Sequence, residues 1–277
     1  MKLGLATSFS ILDAKKWGKE LSSLGCGAVV FPLDYTSSET EINDFYEQAR
    51  LNNLTIAEVG AWCNPISPSK KEREASIKRC IGQLSLADKI KANCCVNVSG
   101  ALGEIWDNPY EANLSSEAWN LNVKAIQHII DSVNPQHTYY TLEPMPWMIP
   151  LNPSQYLKLI KDVNRKHFAV HMDVINWITS VEKYYFNEKF MDEIFNTLGD
   201  NIKSCHIKDV NLKSDFTLHL EETECGKGNI NLEKYAELAN SVSVNMPMII
   251  EHLDNDISYR KSLKYVQERL DKYIQNE

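Results

Sequence analysis

Four apolar runs in the second half of the sequence each end on one ionisable residue: TYYTLE at Glu143, FAVHMD at Asp173, IKSCH at His206 and PMIIE at Glu251. A carboxylate at the end of a buried strand is costly unless it has a partner. Three carboxylates converging on one place repel one another, and a divalent cation is the simplest neutraliser. Two Glu, one Asp and one His form a mixed oxygen and nitrogen set. Such a set suits Mn²⁺ first, then Mg²⁺ or Co²⁺, with positions left for water and substrate, and Zn²⁺ less specifically. Taken singly, each residue has an ordinary alternative: an Asp or Glu after a strand commonly caps a helix, and a strand His is commonly a satisfied core residue. Equivalent positions on four successive runs favour one shared cation.

Those runs belong to a longer pattern. Short β-branched or apolar stretches alternate with helix-length amphipathic ones eight times. The strands expected are Leu3–Thr7, Ala28–Pro32, Thr55–Ala61, Cys94–Ser99, Thr138–Glu143, Phe168–Asp173, Lys203–Ile207 and Met248–His252. Their mean spacing of ~35 residues is that of a βα unit. Asp13 can cap a first helix that Gly25 closes, and Ser67-Pro68 and Asn152-Pro153 each set a cap residue before Pro at a first helical position. Ile77, Ile81 and Leu84 recur on one helical face. No Pro-, Gly- or Ser-rich linker divides the chain, and the turn ATSFSILD after the first strand lacks a Gly-rich nucleotide loop. An α/β chain of this kind is expected to form one (β/α)8 TIM barrel over residues 1–277, with its active site at the C-terminal strand ends. Long loops at Trp62–Ser67, Gly100–Leu114 and Asp209–Asn229 are placed to build it.

Composition excludes several classes. A net charge of −8, from 29 Lys and Arg against 37 Asp and Glu, with the lysines dispersed, argues against nucleic acid as a partner. No stretch approaches the ~20 apolar residues of a membrane span. The N-terminal apolar run is short and followed by Asp13 and lysines, unlike a signal peptide, so the cytoplasm is the expected compartment. Seven cysteines without a CxxC pair read as buried free thiols in a reducing compartment.

The motifs EVGAWCNP, VNVSG, LEPMPW, HMDVINW, CHIKD, GKGNI and EHL, spread over nearly the whole chain, resemble the xylose isomerase-like TIM-barrel superfamily. That superfamily includes sugar phosphate isomerases and epimerases, inosose dehydratases and the endonuclease IV branch. The resemblance implies a metal held by Glu143, Asp173, His206 and Glu251 and a small carbohydrate substrate. It also implies catalysis by Glu143 and Glu251 on opposite faces of the sugar. One would remove a proton beside a carbonyl and the other would return one, through a metal-stabilised enediolate. The match to the ketose 3-epimerase branch is incomplete. Where those enzymes carry a further Glu, His and Arg, this sequence has Ile149, Asn176 and Leu212. CHIKD resembles the inosose dehydratases instead, where a lysine at the position of Lys208 contacts substrate.

Further candidates for substrate contact are Lys208, Asn176, Trp62 and Trp147. Lys208 shares the inward phase of His206 by strand alternation, or is a surface lysine in a loop. Asn176 can bond a sugar hydroxyl or cap a helix. Trp62, Trp147 and Trp177 can wall a sugar's C–H face or simply pack. His171 is a core histidine or a support for the site. The amides of Gly226 and Gly228 can meet an anionic group or form a plain turn. An isomerase or epimerase of a keto-sugar or related polyol acid is the first expectation. A lyase of the inosose dehydratase type, which shares the initial proton abstraction, is the second. A nuclease of the endonuclease IV kind, which needs many histidines, and a non-catalytic binding barrel come after. A homo-oligomer is left open.

Overall fold

A computed structural model describes residues 1–6 and 13–274. Eight parallel strands make the barrel: β1 (Lys2–Leu5), β2 (Ala28–Val30), β3 (Thr55–Gly60), β4 (Cys94–Asn97), β5 (Tyr140–Leu142), β6 (Phe168–Met172), β7 (Ile202–Ile207) and β10 (Pro247–Ile250). An antiparallel pair, β8 (Asp209–Leu212) and β9 (Leu220–Thr223), stands apart from it. Parallel pairing runs β1-β10-β7-β6-β5-β4-β3-β2. The circle is completed between β1 and β2, where Gly27 N–H donates to the Leu3 carbonyl at 2.8 Å. Closure there is backbone against backbone: a Cβ on Gly4 would run into the Ala28 carbonyl. Small side chains such as Ala28 and Ala57 fill the barrel interior beside Ile249. The main apolar core lies between the strands and the outer helices.

The helices are α1 (Ala14–Ser23), α2 (Glu39–Leu51), α3 (Lys70–Lys89), α4 (Ser116–Val133), α5 (Pro153–Val163), α6 (Val181–Tyr185), α7 (Asn187–Leu198), α8 (Leu232–Val242) and α9 (Asp256–Leu270). Asp13 caps α1 by accepting the Lys16 N–H at 2.7 Å, and Gly25 leaves that helix with φ +77°, as the sequence suggested. Asn152 caps α5 ahead of Pro153. The expected cap Ser67 is displaced by two residues: Ser69 caps α3, while the Ser67 hydroxyl donates to Glu72. Three of the apolar runs outlast their strands, so Glu143, Asp173 and Glu251 follow the last strand residue, while His206 stays within β7. Thr7, expected in the first strand, and the turn that follows it lie outside the described residues. No helix among the described residues is long and apolar enough to cross a membrane.

Candidate metal centre

The four chemically suspicious residues occupy neighbouring strand ends, since β5, β6, β7 and β10 are adjacent in the barrel. Glu143 follows β5, with its N–H donated to the Asn97 carbonyl at 2.8 Å. Asp173 follows β6 and uses one oxygen locally: Oδ1 accepts from Ile175 N at 2.8 Å and Asn176 N at 3.2 Å, shaping a 3₁₀ turn. Its Oδ2 is left for the interior. Asp173 therefore caps the turn with one oxygen and turns the other toward the cluster. His206 lies within β7, and Glu251 follows β10. One ligand atom from each of the four lies within 4.8 Å of those from the others, and all four residues are buried. His206 Nδ1 is 2.8 Å from Glu251 Oε2 and 3.3 Å from Glu143 Oε1.

Charge is the dominant fact about this cluster. Burial pushes Asp173 up to about 7, against the pull of Lys208. Burial also opposes ionisation of Glu251, yet His206 and Lys208 hold it well below the usual carboxylate range. Lys208 is 1% exposed, and its Nζ lies 2.9 Å from Asp173 Oδ2, Glu251 Oε1 and Glu222 Oε1. Desolvation works against its charge, and those carboxylates keep it an ammonium. Asp173 Oδ2 accepts no well-aligned hydrogen bond despite that neighbour. The cluster holds itself together by protons: against their burial, Lys208 and His206 are kept cationic by the surrounding carboxylates, and Asp173 is pushed toward its neutral form. Hard carboxylate oxygens with one imidazole fit a divalent cation, so the residues suit the metal that the pattern implies.

Beneath the four lies a second layer. Glu58, from the middle of β3, is 2% exposed and sits between two imidazoles: Oε1 is 3.3 Å from His206 Nε2, and Oε2 is 3.4 Å from His171 Nδ1. Despite its burial it is held ionised, chiefly by His206. His206 thus turns Nε2 toward Glu58 and Nδ1 toward Glu143 and Glu251. A carboxylate behind a ligating imidazole fixes its ring orientation and raises its basicity. His171 is fully buried, its ring 4.1 Å from that of His206, and burial lowers its pKa to about 4. It is a core histidine packed against His206.

The long segment after β7 is the β8–β9 hairpin, and its Val210–Glu222 pairing carries Glu222 over the mouth. Glu222 contacts Lys208 and also His252 Nδ1 at 3.1 Å. Asn176 donates from Nδ2 to Glu143 Oε1 at 2.9 Å, whereas Ser180 caps the next helix, so the capping alternative for Asn176 falls away. A cavity of about 610 Å³ opens beside the cluster, touched by Asn176, Glu222 and His252 and walled by Met145, Trp147, Leu218 and Leu220. Trp62, at φ +40°, stacks over His206 with centroids 6.5 Å apart. Trp147 donates its indole N–H to the Asp107 carbonyl at 2.7 Å. Trp177 is buried packing, bonded to the Pro150 carbonyl.

The glycine amides have a partner of their own. Gly226 N and Gly228 N donate to Asp209 Oδ2 at 3.0 and 2.9 Å, while Val210 N and Ile230 N donate to Oδ1. Sequence reasoning missed Glu58 and Glu222. A glutamate inside the run TIAEVG was a usable signal for Glu58, because a charge in a strand buried on both faces demands a partner. Glu222 had none, lying in a segment with four other acidic residues.

A family model described as xylose isomerase-like TIM barrel matches residues 18–270. An uncharacterized protein of Methanocaldococcus jannaschii is 22% identical over 215 residues, 76% of this chain and 67% of the relative. The solved D-psicose 3-epimerase of Clostridium cellulolyticum H10 with D-tagatose superposes with a TM-score of 0.73 at 14% identity, covering 99% of this chain and 100% of the other. The probable 3-DHS dehydratase of Bacillus anthracis superposes at 0.69 with 16% identity, covering 97% and 100%. At these identities the structural likeness speaks for the fold.

Proposed function

The chain belongs to the xylose isomerase-like TIM-barrel family, and from that premise we propose that it is a divalent-metal-dependent isomerase or epimerase of a keto-sugar. The observation that carries this is the convergence of Glu143, Asp173, His206 and Glu251, buried and within 4.8 Å of one another, beside a cavity large enough for a sugar. The cation, with Mn²⁺ the first choice for this donor set, would supply Lewis acidity: it polarises a carbonyl and steadies negative charge on oxygen. The chain's own work is proton transfer. Glu143 takes a hydrogen bond from Asn176 and Glu251 one from Lys208, so the two carboxylates differ in environment, which is how a base and an acid are set apart. One removes the proton beside the carbonyl and the other delivers one. Asn176, Trp62 and Trp147 hold and wall the substrate. The compartment proposed is the cytoplasm, in keeping with seven cysteines that form no disulfide.

Glu143→Gln and Glu251→Gln each keep an oxygen donor but lose the base. With Mn²⁺ bound, each variant should lose deuterium exchange from solvent into D-fructose or D-tagatose. Turnover near that of the unaltered protein in either variant would end the two-glutamate mechanism. A dehydratase is the second reading, and one observation supports it: a buried ammonium, Lys208, lies 2.9 Å from Glu251, and in this reading it gives up its place on a carboxylate to protonate the departing hydroxyl. In that case Lys208→Met should leave exchange running and stop elimination; in an isomerase it should raise KM and lower kcat moderately while exchange persists.

A further inference from the structure

Resting on the proton-transfer reading of the same site, we infer that the substrate is an uncharged polyhydroxy ketone and that phosphate esters and sugar acids are excluded. Four observations on the mouth converge. First, among the described residues the wall of the cavity beside the cluster has no lysine or arginine; the ionisable residues there are Glu222 and His252. Glu222 is held down to about 2 against its burial by His252 and Lys208, and Glu222 in turn favours the protonated His252, so the wall presents a carboxylate whose cations are already engaged. Second, Lys208 is already spent on Asp173, Glu251 and Glu222.

Third, the amide nest that could receive a phosphate is filled from within. A barrel of this architecture commonly binds phosphate on loop amides after its seventh and eighth strands, and GKGNI occupies that place in sequence. Yet the Gly226, Gly228 and Ile230 amides all point at the Asp209 carboxylate. A Cβ on Gly228 would collide with it, so the glycine serves this internal anion. Fourth, the neighbouring hollow on the outer side of the hairpin is itself acidic. It is lined by Glu221, Glu222, Glu224 and Asp254, and its one lysine, Lys227, is paired with Glu224 at 2.6 Å. Residues 7–12, TSFSIL, add no positive charge in sequence. A phosphate or carboxylate on the distal end of a substrate would meet Glu222 while the cations nearest to it, Lys208 and His252, are already paired with carboxylates, and competition with that internal anion lowers affinity by about 100-fold or more. The walls of Met145, Trp147, Leu218 and Leu220 suit the C–H faces of a neutral sugar.

The test compares D-fructose with D-fructose 6-phosphate in deuterium exchange, and D-sorbitol with D-sorbitol 6-phosphate in calorimetric binding, on the Mn²⁺-loaded chain. The expected results are a preference for D-fructose of about 100-fold or more in kcat/KM, and binding of the polyol tighter than that of its phosphate. Leu218→Arg, a cation added to the cavity wall, should narrow both gaps. Equal or better use of the phosphate ester overturns the inference, as does tighter binding of sorbitol 6-phosphate or binding of neither polyol. If no exchange occurs with any ketose while sorbitol binds in preference to its phosphate, the proton-transfer reading fails and the charge inference stands.

Discussion

Lys208→Met tests whether the ammonium and a bound cation serve the same carboxylates. Methionine keeps most of the lysine stem, so packing changes little, while the charge disappears. Lys208 is buried and its nitrogen lies 2.9 Å from the buried oxygens of Asp173 and Glu251; the third partner, Glu222, is 42% exposed and counts for less. Removing one member of a buried ion pair costs about 3–5 kcal/mol, because the other charge stays buried without compensation. For a chain of this size that corresponds to a loss of roughly 6–20 °C in Tm, read by calorimetry in the presence of a chelator. Adding Mn²⁺ should then raise Tm more in the variant than in the unaltered protein. The cation no longer faces a like charge, and two unit charges 4 Å apart repel by about 4 kcal/mol at the effective dielectric of a protein site. A tenfold or greater gain in Mn²⁺ affinity should accompany it. The reasoning fails if the variant melts within 1–2 °C (about 0.5 kcal/mol) of the unaltered chain in chelator, or if Mn²⁺ stabilises the two equally.

Two other perturbations follow from the layer below and the loop beside the centre. Glu58→Gln should weaken Mn²⁺ binding by about 10–100-fold in a chelator competition, because His206 loses the carboxylate behind Nε2; unchanged affinity would remove Glu58 from the site. Asp209→Ala deprives four amides of their acceptor, at about 1–3 kcal/mol for each donor left buried and unpaired. Hydrogen exchange at Gly226, Gly228 and Ile230 should quicken, and protection equal to that of the unaltered chain would contradict the nest.

What the sequence discloses follows from how local each signal is. The eight βα units are legible because apolar runs and caps such as Asp13 and Asn152 act over a few residues. The strand ends are less so. Thr138–Glu143 reads as one run, but pairing stops at Tyr140–Leu142, since the ladder depends on neighbours far along the chain. Glu143, Asp173, His206 and Glu251 stand out because each ends an apolar run. Glu58 escapes because it sits inside one, and a parallel barrel strand is buried on both faces, so alternation does not say which way a residue points. The purpose of Gly226 and Gly228 is hidden for a different reason: their acceptor, Asp209, lies 17 to 19 residues away. Glu222 required the hairpin register, which a segment with this many charges does not reveal.

Four adjacent strands carry the charged centre, and the remaining four contribute Glu58 from below and Trp62 from the side. The barrel is therefore divided in labour. One half carries Glu143, Asp173, His206 and Glu251 and tolerates little change. The other offers loops that carry none of those four residues. Laboratory selection for a new sugar should accumulate its changes in the Trp62–Ser67 and Gly100–Leu114 loops, or in the hairpin tip at residues 213–219, because these can remodel what is admitted while leaving the electrostatics of the centre intact.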